Sequence, residues 1–118
     1  MAAHNPIREK SYTFALKIVA ISEYLKRNKE FVIRDQLLSS GTSVGANIRE
    51  AEFAQSRKDF ISKLSIALKE ANETQYWLYL IRDSNLLPMY DMKSICNDIH
   101  EIVRLLVSIV KTTKQNNF

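Results

Sequence analysis

The sequence predicts an all-α protein, an antiparallel up-down four-helix bundle in one domain over residues 1–118, with frayed ends at 1–5 and 113–118. Apolar residues recur at spacings of three and four through most of the chain, which is the period of one helix face. Only 2 glycines and 2 prolines occur in 118 residues, too few for the turns of a β-sandwich or barrel. Short polar stretches divide the chain into four such segments, and short connections favour antiparallel neighbours.

The first helix is predicted to begin at Asn5-Pro6, where a capping residue precedes a proline, and to end in the polar cluster 26–29. Its buried face comprises Phe14, Ile18, Ile21 and Leu25. The second helix is predicted over about residues 31–55. Its buried face comprises Ile33, Leu37, Val44, Ile48 and Ala51.

The third helix is predicted to start at Ser56, which with Asp59 resembles a capping box, and to run to about Asp83. Its core face comprises Phe60, Leu64, Ala67, Ala71 and Leu78, and a second apolar patch beside it comprises Ile66, Trp77 and Ile81. The fourth helix is predicted to open near Pro88 or Asp91. It carries two neighbouring apolar rows, Ile95, Ile99, Ile102, Leu106, Ile109 and Cys96, Val103, Val107, Val110. The extra apolar width of the third and fourth helices indicates either a generous core or, as the favoured alternative, a subunit interface.

The segment Gly41-Thr42-Ser43-Val44-Gly45 matches the G-x-S-x-G pattern of the nucleophile elbow in serine hydrolases. That elbow needs a preceding strand, which the sequence does not predict, so we interpret the match as chance. Each glycine costs a helix roughly 1 kcal/mol against alanine, which makes a helix break here one alternative. A single second helix is favoured because the apolar phase continues unshifted across the segment.

Catalytic and metal chemistry find little support in the sequence. A bundle can hold a di-iron centre built from Glu residues and Glu-x-x-His pairs, but His100 follows Asn97 where the motif needs Glu. We therefore expect a non-enzymatic protein with no catalytic residue, no metal and no cofactor. The single cysteine, Cys96, fits a core position and a reducing cytoplasm. The absence of a signal sequence and of a long uncharged apolar stretch leads us to expect a soluble protein without membrane contact.

The net charge of +4 permits an anionic partner without demanding one. Residues 1–30 contain six basic side chains against three acidic ones, and the turn before the third helix adds two more basic side chains. The candidate phosphate contacts are Lys10, Lys17, Lys26, Arg27, Lys29, Arg57 and Lys58. A bundle places its first and second connections at opposite ends, so a contiguous patch is not assured. An ordinary solvated surface is the alternative.

A row of weakly charged polar residues accompanies the apolar face of the second helix: Gln36, Ser40, Ser43, Asn47 and Glu50. The third helix carries Glu70, Glu73 and Trp77 beside its second apolar patch. Polar groups next to an apolar seam tend to fix register and oligomeric state, since they are costly when unsatisfied. We predict a structural seam formed by Ser43, Asn47, Glu50, Glu70, Glu73 and Trp77, with ligand contact as the alternative.

Two strings resemble a known bacterial family. Residues 43–51 read SVGANIxEA, and residues 60–78 read FIxKLxIAxKEAxETxYWL. Both are similar to the 23S rRNA-intervening-sequence, or "four helix bundle protein", family, and the similarity covers about residues 5–112. Val44, where isoleucine is common, and the basic C-terminal tail are small departures.

The resemblance implies a homopentamer of four-helix bundles without known catalytic activity. Some members are encoded inside intervening sequences of large-subunit rRNA genes. The related accessory variability determinants of diversity-generating retroelements use a basic pentamer to bind nucleic acid and a reverse transcriptase. We therefore expect an oligomer that binds RNA or DNA through its phosphates. The alternative is a protein-interaction scaffold whose charge is incidental.

Overall fold

The computed structural model describes residues 5–115, which form four helices and no strand. The helices are α1 (Pro6–Arg27), α2 (Phe31–Ala51), α3 (Arg57–Asp83) and α4 (Met92–Gln115). Each packs on its sequence neighbours, and α4 returns to α1, the pair in least contact. The helices therefore occupy the corners of a square in an up-down-up-down bundle that extends about 50 × 25 × 20 Å. The predicted all-α, four-helix architecture is confirmed.

Capping residues set the predicted helix starts. The Asn5 side chain accepts a hydrogen bond from the Arg8 N–H at 3.3 Å, and Pro6 follows as the first helical residue. Ser56 Oγ accepts from the Asp59 N–H at 3.0 Å, while the Asp59 carboxylate accepts from the Gln55 N–H at 3.2 Å. The first bond makes Ser56 the N-cap and confirms the predicted start of α3, whereas the second differs from a capping box because it uses the Gln55 N–H in place of the Ser56 N–H.

The ends of the helices differ in part from the sequence prediction. α2 ends at Ala51, not near Gln55, because residues 52–54 form tight i→i−3 bonds that turn the chain back toward α3. α1 ends at Arg27, and Lys29 follows in the left-handed region, φ 61°, where the Glu30 N–H donates to the Leu25 carbonyl. The left-handed position of this Schellman motif is usually glycine, but here it is Lys29. Helix ends of this kind need no glycine, which is consistent with only 2 glycines in the chain.

The predicted core faces are buried almost completely. Phe14, Ile18, Ile21 and Leu25 are all buried, as are the core positions of α2 except Ile33, which is half-buried near the end of the bundle. α3 covers most of the second apolar row of α4, where Cys96 and Val110 are buried and only Val107 is exposed. The wide apolar surface of α4 is therefore buried mainly in the core of a single chain.

The predicted frayed ends fall partly on described residues. Asn5 is the N-cap of α1, and α4 continues to Gln115, so residues 113–115 are helical. The other terminal positions, 1–4 and 116–118, lie outside the described residues. Across the described part of the chain, no helix combines the length and apolarity needed to cross a bilayer.

Candidate nucleic-acid interface

Two of the predicted phosphate contacts on α1 are already paired with carboxylates of α4. Lys10 Nζ lies 2.7 Å from Glu101 Oε1, and Lys17 Nζ lies 2.6 Å from Asp98 Oδ2. The hydrogen bond to Glu101 raises the pKa of Lys10. Because both ammonium groups bridge the α1–α4 groove, their charge is compensated within the chain. Residues 1–30 therefore present less unpaired positive charge than a count along the sequence indicates.

Lys26, Arg27 and Lys29 lie at the end of the bundle that contains the α1–α2 turn, and all three are exposed. The Arg27 guanidinium lies 5.4 Å from the centre of the Tyr24 ring, a cation–π contact. The flanking residues Glu23 and Glu30, and Asp91 before α4, place acidic groups at the same end. The charge of this end is mixed.

Arg57 and Lys58 lie at the opposite end of the bundle, where α3 begins and α4 finishes. The Arg57 guanidinium donates a hydrogen bond to the Thr113 carbonyl and so ties the two helix ends together. Lys58 and Lys114 line the same surface cleft as Arg57. The predicted basic residues are thus divided between two ends of a bundle about 50 Å long.

A basic surface on α3 and α4 contains one residue that the sequence analysis named, Lys58, and four that it did not. It runs along the outer side of α3 and α4, and we call it the basic face: Lys58, Lys69, Arg104, Lys111 and Lys114. All five side chains are exposed, and none forms an ion pair or hydrogen bond within residues 5–115. Lys58 and Lys69 are about three helical turns apart on α3, and Arg104 and Lys111 about two turns apart on α4. Each pair therefore points to one side of its helix.

Two acidic residues close to this face in sequence have other partners, and Glu70, next to Lys69, lies on the side of α3 that adjoins α2. Glu101 pairs with Lys10 across α1, and Asp59 accepts the Gln55 N–H. The residues between the lysines of α3 on the outer side are Ser62 and Ser65. The net charge of each segment did not indicate the basic face, because acidic residues on the other sides of α3 and α4 offset the basic ones in the sum. Sorting the charges by helix side would have revealed it.

The predicted polar seam lies along α2 and α3, and most of its hydrogen bonds stay within one helix. Asn47 Nδ2 donates to the Ser43 carbonyl at 2.8 Å, and Trp77 Nε1 donates to Glu73 at 3.2 Å. Only one predicted seam residue forms an ion pair between helices, Glu50, whose carboxylate lies 3.1 Å from Lys63 Nζ on α3.

The buried polar contact between α2 and α3 uses a residue that the sequence analysis did not single out. Ser40 and Thr74 are 1% and 0% exposed, and their hydroxyl oxygens lie 3.0 Å apart. The Thr74 hydroxyl also lies 2.7 Å from the Glu70 carbonyl. Ser40 belonged to the predicted polar row, whereas Thr74 in a helix interior gave no signal of its own.

Loss of the Thr74 hydroxyl is expected to destabilise the bundle. Thr74→Val keeps the shape but leaves the buried Ser40 hydroxyl with only the Leu37 carbonyl, 3.5 Å away, at a cost of about 1–2 kcal/mol in the free energy of unfolding. Urea denaturation measures this cost. The double variant Ser40→Ala/Thr74→Val should cost clearly less than the two single changes together. If the double variant instead loses as much stability as the two single variants together, the two hydroxyl groups are not energetically coupled.

The alternative chemistries find no site in the described structure. Ser43 lies in the middle of α2, not on a strand-to-helix turn. No three His, Cys, Asp or Glu side chains of residues 5–115 come together as metal ligands. The Cys96 thiol is buried, and burial raises its pKa, as for a core-filling cysteine.

Comparisons with known proteins agree with this architecture. The family model of the 23S rRNA-intervening sequence protein matches residues 4–108. The solved structure of a protein of unknown function from the S23 ribosomal protein family of Bacteroides thetaiotaomicron VPI-5482 is 55% identical, with a TM-score of 0.84. The match covers 89% of this chain and 98% of that one. No curated protein shows significant similarity. The resemblance of residues 43–51 and 60–78 is thus confirmed, and the chain belongs to the 23S rRNA-intervening sequence protein family.

Proposed function

We propose that the protein is a non-enzymatic, homo-oligomeric nucleic-acid-binding accessory protein that contacts phosphates electrostatically. The basic face carries this proposal, because it presents five exposed cations that the described chain does not neutralise. Each lysine or arginine placed near a phosphate releases condensed counterions, which favours binding without any base contact. Serines between the lysines, such as Ser62 and Ser65, add hydroxyl donors for phosphate oxygens.

Oligomerisation would strengthen such contacts. A single chain has a net charge of +4, and one basic face makes only a few phosphate contacts. Five copies, the number that the family resemblance implies, would present about +20 and gain avidity from simultaneous contacts. We propose the homopentamer as the functional unit on this ground.

The binding is expected to be almost independent of base sequence. Residues 5–115 form no strand, and so no sheet that could present an aromatic pair to bases, and they hold no group of His, Cys, Asp or Glu residues for a zinc finger. Recognition would therefore depend on phosphate spacing and on the shape of the nucleic acid.

Salt titration of binding tests this proposal. The wild-type protein is mixed with a fluorescently labelled structured RNA and with duplex DNA of unrelated sequence, and anisotropy is recorded between 50 and 200 mM salt. About four or five phosphate contacts predict that the affinity falls roughly 100- to 1000-fold over this range. Absence of binding at 50 mM salt and micromolar protein would overturn the proposal.

A pull-down from nuclease-treated extract tests the scaffold alternative. A protein partner retained after nuclease treatment, including a reverse transcriptase, would favour the scaffold if the salt titration also shows no binding of nucleic acid. The two measurements therefore separate an electrostatic nucleic-acid binder from a protein scaffold.

A further inference from the structure

One unpartnered apolar stripe runs along the outer side of α1. We call it the α1 stripe: Tyr12, Leu16 and Val19, which are 59%, 55% and 49% exposed. Spacings of four and three place them on one side of the helix. That side adjoins α2, because Tyr12 lines a groove together with Ala46 and Arg49 of α2. Arg49 is exposed at the edge of this stripe and forms no ion pair within the described residues.

A second stripe lies on α3, on the side that also adjoins α2. We call it the α3 stripe, and spacings of four, three, four and three align its members: Ile66, Glu70, Glu73, Trp77 and Leu80. Ile66 and Leu80 are each 41% exposed. Glu70 is two turns beyond Lys63, the residue that pairs with Glu50 of α2, which places the stripe next to α2. The half-buried Glu70 carboxylate has no partner among residues 5–115.

The two stripes are complementary in chemistry and different in composition. Of the twelve large hydrophobic side chains exposed in the described chain, five belong to these stripes. The α1 stripe has the unpaired cation Arg49 at its edge, whereas the α3 stripe contains the unpaired carboxylate of Glu70. Two α3 stripes facing each other would oppose glutamates. One α1 stripe facing one α3 stripe would instead pair Arg49 with Glu70 across an apolar contact.

The position of the stripes determines the shape of the assembly. Both adjoin α2, so they occupy adjacent sides of the square bundle, with outward directions roughly 90° apart. Contacts between two different surfaces at such an angle return to the starting chain after about four or five copies. In that ring α2 faces the axis with an outward row whose central residues, Ser39, Thr42 and Ala46, are small and whose two ends are the charged residues Asp35 and Arg49. The basic face on α3 and α4 lies away from the axis.

We propose that the α1 stripe of one copy binds the α3 stripe of the next copy, head to tail, in a closed ring with α2 innermost. The proposal rests on the homo-oligomer of the proposed function and assigns its two contact surfaces. It also gives a role to Trp77, whose indole N–H donates to Glu73 and whose ring packs edge-to-face against Tyr76, with 5.0 Å between the ring centres. A preorganised aromatic anchor suits the centre of an interface.

Mixing two defective variants tests this assignment. Leu16→Glu places a charge in the α1 stripe, and Ile66→Glu places one in the α3 stripe. Light scattering after gel filtration, on protein freed of nucleic acid, should give a wild-type mass four to five times that of the chain, about 14 kDa each. Each variant alone should be monomeric. The two variants together should form a one-to-one dimer, because each retains one intact stripe that fits the intact stripe of the other.

Val107→Glu is the matched control, since Val107 is 46% exposed on α4, away from both stripes, and the variant should keep the wild-type mass. Circular dichroism must show unchanged helicity in all three variants. A monomeric wild type, a wild-type mass for either stripe variant, or two monomers that do not associate would overturn the head-to-tail ring. These masses are measured without nucleic acid, so they are independent of whether the salt titration supports nucleic-acid binding.

Discussion

Reversing three charges of the basic face is expected to weaken nucleic-acid binding by at least about 100-fold at 100 mM salt. The variant is Lys69→Glu/Arg104→Glu/Lys111→Glu. Each change removes a phosphate contact and places a repelling carboxylate in its position. The effect is repeated in every copy of an oligomer. Anisotropy titrations with the labelled RNA measure the loss, and the salt dependence of the remaining binding should become much shallower.

A second triple variant with the same change in net charge is the control. Lys26→Glu/Arg27→Glu/Lys29→Glu reverses three exposed cations at the end of the bundle that also carries Glu23, Glu30 and Asp91. If binding depends on the basic face, this variant should lose much less affinity. Equal losses would mean that only net charge matters. A larger loss in the control would favour the α1 residues that the sequence analysis selected.

Local sequence rules were sufficient to predict most of the fold. The starts of α1 and α3 follow from Asn5 and Ser56, whose side chains accept backbone N–H groups as capping residues do. The core faces follow from the helical period, since a buried row needs an apolar residue at each turn. Such features depend on residues a few positions apart, and these are visible in the sequence.

The candidate site depends on contacts between distant residues, which explains why the basic face differs from the residues that the sequence analysis selected. Lys17 is 81 positions from Asp98 in sequence, yet α1 and α4 bring the two within 2.6 Å. The sequence analysis counted Lys10 and Lys17 as candidate phosphate contacts, but both form ion pairs with carboxylates of α4. The basic face combines α3 and α4, whose segments each have a net charge near zero, so no local excess indicated it.

Contacts between copies of the chain are harder to predict from the sequence than contacts within it. Glu70 was placed in a polar seam because it lies beside apolar residues, and in a single chain its carboxylate has no partner within the described residues. The apolar width of α4 was favoured as an interface, although α3 covers most of it. Surface complementarity between copies involves two faces at once, so only the arrangement of all four helices makes it visible.

The contact between Ile18 of α1 and Gly41 of α2 is expected to show a reversal of sign in a double-variant cycle. A Cβ added at Gly41 would lie 2.8 Å from two side-chain carbons of Ile18, which is fully buried. Gly41→Ala alone should therefore destabilise the protein by about 1–2 kcal/mol, because overpacking exceeds the gain in helix propensity. Ile18→Ala alone should cost about 2–5 kcal/mol through the cavity that it leaves.

In the Ile18→Ala background the same Gly41→Ala change should stabilise the protein, because the new methyl group enters the cavity and alanine favours the helix by about 1 kcal/mol. Gly45→Ala is the matched control. Its Cβ would lie 3.4 Å from the Ser11 carbonyl oxygen, an ordinary contact, so this change should be neutral or stabilising in both backgrounds. Urea denaturation of the wild type, the three variants of the cycle and the two controls provides the free energies. A destabilising Gly41→Ala in both backgrounds would show that some neighbour other than Ile18 requires the glycine.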